Sequence, residues 1–217
     1  PAPRGKLVDR SAAEFIIDTV RANPGEVTLV PVGPLTNLGL ALRLDPGFAG
    51  LVKEVVIMGG AVACPGNMTP VSEANIYHDP HAADMVMAAG WPLTIVGVDV
   101  THKTMMTTQF QQELFKAGNP AVRLIEQILP CYQNYFNGAF GLNGAIYTHD
   151  PSALAYVIRP ELFETQSVPV FVETEGRCVG QTVADWHHQW EARPEVKVCL
   201  GVDSPGVLAL IKERLTK

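Results

Sequence analysis

Three short stretches carry the residues best suited to chemistry. Gly66-Asn67-Met68-Thr69-Pro70-Val71-Ser72-Glu73-Ala74-Asn75 sets Asn67, Glu73 and Asn75 on one loop. Two amides and a carboxylate both donate and accept hydrogen bonds, as the vicinal hydroxyls of a sugar require. A solvated polar loop is the plainer alternative. His-Asp-Pro occurs twice, at His78-Asp79-Pro80 and at His149-Asp150-Pro151. In either copy the Asp can cap a helix and the Pro can take its first position, so capping alone would account for both. Their surroundings differ. The first copy is followed by His81 and Asp84, and His78-x-x-His81 has no third ligand at a matching spacing, so it reads as surface. The second follows Gly138, Gly141 and Gly144, and can hold a His and an Asp together at a mouth, one as proton donor and one as metal ligand or base. Gly33-Pro34-Leu35-Thr36-Asn37 is a turn able to offer carbonyl oxygens to a cation, a weak signal by itself. Asp185 reads as a turn residue, and His187 and His188 have no clear partner.

These stretches need elements to position them. Ser11-x-x-Glu14 ahead of Phe15, Ile16, Ile17 and Val20 is a capping box leading an apolar helical face, stopped near Asn23-Pro24-Gly25. Val27 to Val32, Val55 to Met58 and Leu93 to Val98 are short apolar runs that suit buried parallel strands. Between them lie helical patterns through Leu35 to Leu44 and from Asp79-Pro80 to Gly90. Ala61 to Asn75 has neither period, and loops of that length in compact domains tend to be functional. Helices are expected over Thr107 to Ala117 and Ala121 to Phe136, with another from His149-Asp150-Pro151. Val168 to Thr174, Thr182 to Asp185 and Val196 to Val202 read as strands, and Ser204-Pro205 opens a last helix. The alternation predicts one α/β domain over residues 1–217 with a mainly parallel sheet. Ligands of such sheets bind beyond the carboxyl ends of the strands, which points to the loops after Val32 and Met58 and the one before His149.

Composition narrows the function. Hydrophobic residues make up 47% and charged residues 18%, enough for a large core and too apolar for a disordered chain. The net charge of −6 comes without a basic run, which argues against nucleic acid or an anionic membrane as partner. No apolar stretch is long enough to span a membrane. Cys64, Cys131, Cys178 and Cys199 form no C-x-x-C pair and read as reduced, mostly buried thiols of a cytoplasmic protein. No G-x-G-x-x-G follows a strand, which weakens a dinucleotide-binding oxidoreductase. Pro1 in place of Met, and the loop-like Pro1-Ala2-Pro3-Arg4-Gly5, suggest a removed leader or the interior of a longer protein.

Taken in order, VTLVPVGPLTNLGLALRLDP, KEVVIMGGAV, GNMTPVSEANIYHDPHAA, VGVDVTHK, YTHDPSALAYVIRPELF and GQTVADW resemble the inosine–uridine preferring nucleoside hydrolases. The resemblance implies a Rossmann-like sheet flanked by helices and hydrolysis of the N-glycosidic bond of ribonucleosides, using a calcium-held water. It also implies a place in purine and pyrimidine salvage and a homo-oligomer, dimer or tetramer. Asp150 matches a calcium-ligating aspartate, and the Val32 carbonyl matches a backbone calcium ligand. His149 matches the histidine that protonates the leaving base, while Asn67, Glu73 and Asn75, with Met58 beside them, match the ribose-binding set. Tyr132, Gln133 and Tyr135 are candidates for base contact, and Ala74 stands where some relatives place an aromatic.

One family feature is missing. The Asp-x-Asp-Pro-Gly-x-Asp-Asp motif, which supplies most calcium ligands and the general base, has no counterpart, and the early acids Asp9, Glu14 and Asp18 lie in or near a capped helix. The expectation is therefore a fold without its first strands, inactive alone. The alternative is a non-catalytic homologue that keeps a sugar-binding surface.

Overall fold

The computed structural model describes Gly5 and residues 8–217; the opening loop at Pro1 to Arg4 lies outside them. The first helix, α1 (Ala12–Ala22), starts as its capping box dictates: Ser11 Oγ accepts the Glu14 N–H and the Glu14 carboxylate accepts the Ser11 N–H. Ala13, Ile17 and Val20 face inward, whereas Phe15, counted into the apolar face, is exposed.

Among the described residues six strands form the main sheet. They are β1 (Thr28–Leu29), β2 (Glu54–Met58), β3 (Leu93–Val96), β6 (Phe163–Val172), β7 (Thr182–Ala184) and β8 (Glu195–Val202). Their order is β1-β2-β3-β8-β6-β7, the first four parallel and the last two antiparallel to their neighbours. The mainly parallel sheet expected from the sequence is present. A small second sheet pairs β4 (Met105–Met106) with β5 (Ile146–Tyr147).

Period-2 alternation along β2 feeds two cores, which is why the strand reads as an unbroken apolar run. Val55 and Ile57 meet α1, α2 (Thr36–Leu44) and α4 (Pro80–Ala88) on one face. Val56 and Met58 meet α8 (His149–Ile158) and α9 (Ser204–Thr216) on the other. Full burial of side chains of this size contributes about 1.5–3 kcal/mol each. The remaining helices are α3 (Ala74–His78), α5 (Val98–Thr101), α6 (Thr108–Phe115) and α7 (Pro120–Phe140).

Several expected boundaries move for identifiable reasons. β1 covers only Thr28 and Leu29 of the run to Val32, because it has one partner and Pro31 has no N–H to donate. The contact continues as a single bond, from Met58 N–H to the Pro31 carbonyl at 3.0 Å. β3 stops at Val96, since Gly97 turns the chain into the single helical turn of α5. Two cysteines correct the expectation of mostly buried thiols. Cys199 is buried and Cys64 half-buried, but Cys131 and Cys178 are exposed. Helix α7 buries only Val122, Leu129 and Phe136, a stripe that leaves Cys131 outside. Among the described residues no helix is long and apolar enough to cross a membrane.

Candidate active site

The loop that follows β2 is built by backbone bonds to carboxylates. Asp99, buried at the start of α5, accepts the N–H groups of Val62 at 3.0 Å and Ala63 at 2.7 Å. Gly97 lets α5 come that close, because a Cβ there would lie 2.6 Å from the Gly60 carbonyl. Farther on, the chain folds back so tightly that a Cβ on Gly66 would sit 2.3 Å from both the N and the O of Ser72. Ser72 in turn gives its hydroxyl to the Val179 carbonyl at 2.6 Å, fastening the loop to the turn before β7.

Each of the three polar candidates spends one end on this scaffold. Asn67 accepts the Ala74 N–H through Oδ1 at 2.9 Å. Glu73 Oε2 caps α3, taking N–H groups from Asn75 at 2.9 Å, Gly60 at 3.1 Å and Ile76 at 3.2 Å. Asn75 donates through Nδ2 to the Met58 carbonyl at 3.0 Å and lies 3.4 Å from the Met58 sulfur. The Asn67 amide N–H₂, Glu73 Oε1 and the Asn75 amide oxygen have no hydrogen-bond partner among the described residues. One donor group and two acceptors thus stay free, the complement of a sugar diol. Burial pushes the Glu73 carboxyl up, partly offset by its three N–H donors.

The two His-Asp-Pro copies separate clearly. Asp79 caps α4 by accepting the Ala82 N–H at 3.0 Å, and its other oxygen takes the Thr36 hydroxyl at 2.5 Å. His78 is exposed and its Nδ1 meets the Ala74 carbonyl at 2.6 Å, so the first copy is structural. In the second copy the helix begins two residues earlier in the motif. α8 starts at His149 with Thr148 as its N-cap, which corrects the expectation that Asp150 could cap it. The Asp150 carboxylate has no hydrogen-bond partner among the described residues, and partial burial raises its pKa. Val32, with an exposed side chain, likewise has a carbonyl that accepts no hydrogen bond among the described residues.

His149 is held from several sides. Thr148 bonds the Thr104 carbonyl through both N–H (3.1 Å) and hydroxyl (2.9 Å). Gln111 and Gln133 both donate to the Gly144 carbonyl, at 3.0 and 2.9 Å, and so pin the glycine-rich approach. Gln133, a candidate for base contact, therefore has its amide N–H₂ committed to the fold, while Tyr132 and Tyr135 on α7 are exposed. Around the imidazole stand His102, Tyr147 and Phe136, with ring centroids 5.5, 5.7 and 6.0 Å away. Burial, followed by the charge of His102, pushes the His149 pKa down to about 4. A cleft of about 360 Å³ opens beside it, lined by His149, Asp150, Tyr147, Tyr132, Met106 and Leu129 among others.

One hydrogen-bonded path joins the two halves. Asn75 bonds Met58, Glu73 bonds Gly60, and the Gly60 carbonyl accepts the Val98 N–H at 2.9 Å. α5 then runs from Val98 to Thr101, whose Oγ lies 2.7 Å from His149 Nδ1. All of this lies at the carboxyl ends of β2 and β3, where α/β sheets bind ligands.

Calcium takes about six to eight oxygen ligands. Among the described residues no three His, Cys, Asp or Glu side chains group as a metal site. Asp150 and the Val32 carbonyl alone do not make a calcium site.

The model of the inosine-uridine preferring nucleoside hydrolases matches residues 1–209. The chain belongs to that family. A probable uridine nucleosidase 2 of Arabidopsis thaliana is 38% identical over 99% of the chain and 69% of its own length. A plant nucleoside hydrolase of known structure superposes with a TM-score of 0.94 at 36% identity, over 99% of this chain and 69% of that one. A purine-preferring ribonucleoside hydrolase from Gardnerella vaginalis gives 0.92 at 31%, over 100% of this chain and 68% of that one. Within the family the polar loop and the second His-Asp-Pro were legible as candidates. Thr101, Asp99 and the Gln111–Gln133 clamp were not, because each works through a partner remote in the chain.

Proposed function

We propose that the protein hydrolyses the N-glycosidic bond of ribonucleosides to ribose and free base. In this reading Asn67, Glu73 and Asn75, with Met58 behind Asn75, hold the ribose, and His149 serves the leaving base. The free polar ends on the loop carry the reading: a donor and two acceptors, fixed by bonds made with the other ends of the same side chains. Bond cleavage sends the electron pair of the C–N bond to the base nitrogen and leaves an oxocarbenium-like ribose, which tight ribose contacts stabilise. His149 is neutral at neutral pH and meets the base as an N–H donor; its scarce charged form, a strong acid through burial, hands a proton over. Water then adds to the anomeric carbon of the ribose and releases one proton to solvent, which balances the proton that His149 gave to the base. No step is assigned to calcium, since Asp150 and the Val32 carbonyl do not complete a site for it. The homo-oligomer and the cytoplasmic setting belong to the same reading.

The test is release of free base and ribose from uridine and inosine, with Asn75→Ala and His149→Ala beside the parent. Turnover that depends on both residues supports the reading; turnover indifferent to both sinks it. The second reading, a sugar-binding surface without catalysis, draws on the incomplete metal ligands. Ribose binding without base release would favour it.

A further inference from the structure

We infer that Thr101 is a positioning residue that fixes the tautomer of His149, placing the proton of the neutral ring on Nε2. The inference deepens the proposed function, in which His149 serves the leaving base. Thr101 is fully buried on α5, and its Oγ lies 2.7 Å from Nδ1 of His149, 48 residues away. That contact is the one hydrogen bond of the Thr101 hydroxyl among the described residues. A neutral imidazole has one donor and one acceptor nitrogen, and which is which follows from the partner of either. If Nδ1 carried the proton, the buried Thr101 hydroxyl would accept it and leave its own O–H without an acceptor, at a cost of about 1–3 kcal/mol. With Thr101 donating to Nδ1 the hydroxyl proton is used and the ring proton moves to Nε2. Nε2 makes no hydrogen bond to the protein among the described residues, and the ring lines the cleft. The proton is therefore held on the nitrogen that a ligand can meet.

A hydroxyl suits the task because it turns. When the ring is charged, Nδ1–H donates to the same Oγ; the contact is kept, but the Thr101 O–H is then unpaired, so the neutral ring relaxes back to the Nε2-protonated form. Thr104 keeps the geometry, since its carbonyl ties down Thr148, the residue before His149, and its N–H bonds the Thr101 carbonyl at 3.1 Å.

Long-range proton–nitrogen NMR correlation on the 217-residue chain reads the tautomer without any turnover. At mildly alkaline pH, where the ring is neutral, the parent should show Nε2 protonated and Nδ1 as the acceptor. Thr101→Ser keeps that pattern. Thr101→Val, of the same shape but without the hydroxyl, loses it and shows mixed or reversed tautomers, with circular dichroism verifying that it folds. A protonated Nδ1 in the parent, or an unchanged pattern in Thr101→Val, overturns the inference. In turnover assays Thr101→Val should lower kcat about tenfold or more with little change in KM, within the general-acid contribution of about 10²–10⁴. Loss in KM alone counts against positioning. If His149→Ala leaves turnover intact, the role of His149 fails, while the tautomer result stands by itself.

Discussion

Oε2 of Glu73 accepts the N–H of Gly60 at 3.1 Å, tying the N-terminus of α3 to the turn that closes β2. The same carboxylate is a cap, a brace between loop and sheet, and a candidate sugar contact through its other oxygen. Glu73→Ala removes all three at once. It should lower stability by about 1–3 kcal/mol, the cost of buried N–H groups left unpaired, and weaken ribose binding. Thermal unfolding and ribose titration measure the two losses. Loss of binding without loss of stability would contradict the bracing role.

The tight return at Gly66 makes a separable prediction. Gly66→Ala forces the loop to open, because its Cβ would collide with the Ser72 backbone at 2.3 Å. Ribose affinity should fall several-fold while the two cores, built elsewhere, keep the main unfolding transition. An alanine variant that binds ribose like the parent would show that the loop geometry is not what holds the sugar.

His149 titrates at about 4 in the folded protein, against about 6.5 when free. Protonation favours the unfolded chain between these values, so this contribution to stability is full above about pH 6.5 and is lost as pH falls toward about 4. The charged fraction able to protonate a base grows in the same direction. The rate ratio of parent to His149→Ala should therefore rise as pH falls from neutral, and be larger for inosine than for an activated nitrophenyl riboside. Equal ratios for both substrates would rule out proton donation.

Asp84 accepts two bonds from Arg193, at 2.6 and 2.9 Å, and the Val172 N–H at 3.1 Å; Arg193 also lies over Phe171, 4.3 Å from the ring centroid. Burial acts to raise the Asp84 carboxyl, but Arg193 and the Val172 N–H outweigh it and hold it below its ordinary value. Asp84→Asn should cost about 1–3 kcal/mol. The contribution is present above the unfolded Asp value of about 3.9 and is lost as pH falls through the lower folded value. Unfolding curves of parent and variant should converge in acid; a constant gap would mean that charge is not the cause.

Calcium should bind residues 1–217 weakly, because Asp150 and the Val32 carbonyl supply two protein oxygens where about six to eight ligands are wanted. Calorimetry decides. Tight binding abolished by Asp150→Asn would mean that further ligands come from elsewhere in the chain.

Local chemistry carried much of this protein. The Ser11–Glu14 capping box, the cap at Asp79-Pro80 and the apolar runs of β2 and β3 each act through neighbours three or four residues away or through simple burial, so the sequence alone determined a mainly parallel α/β fold. The polar loop from Asn67 to Asn75 was legible as a candidate for the same reason: its density of amides and carboxylate is a local property. Only the tertiary structure decided which His-Asp-Pro has a carboxylate to spare. The two tripeptides are identical although their flanks differ, and the spare carboxylate is decided by Thr36, 43 residues before Asp79, and by Thr104, 44 residues before Thr148. Thr101 stayed hidden in a single helical turn that has no periodicity to announce it. Its meaning depends on an imidazole brought to it by α8, 48 residues on and in the same core, and hydrogen bonds between residues so far apart leave no mark on spacing.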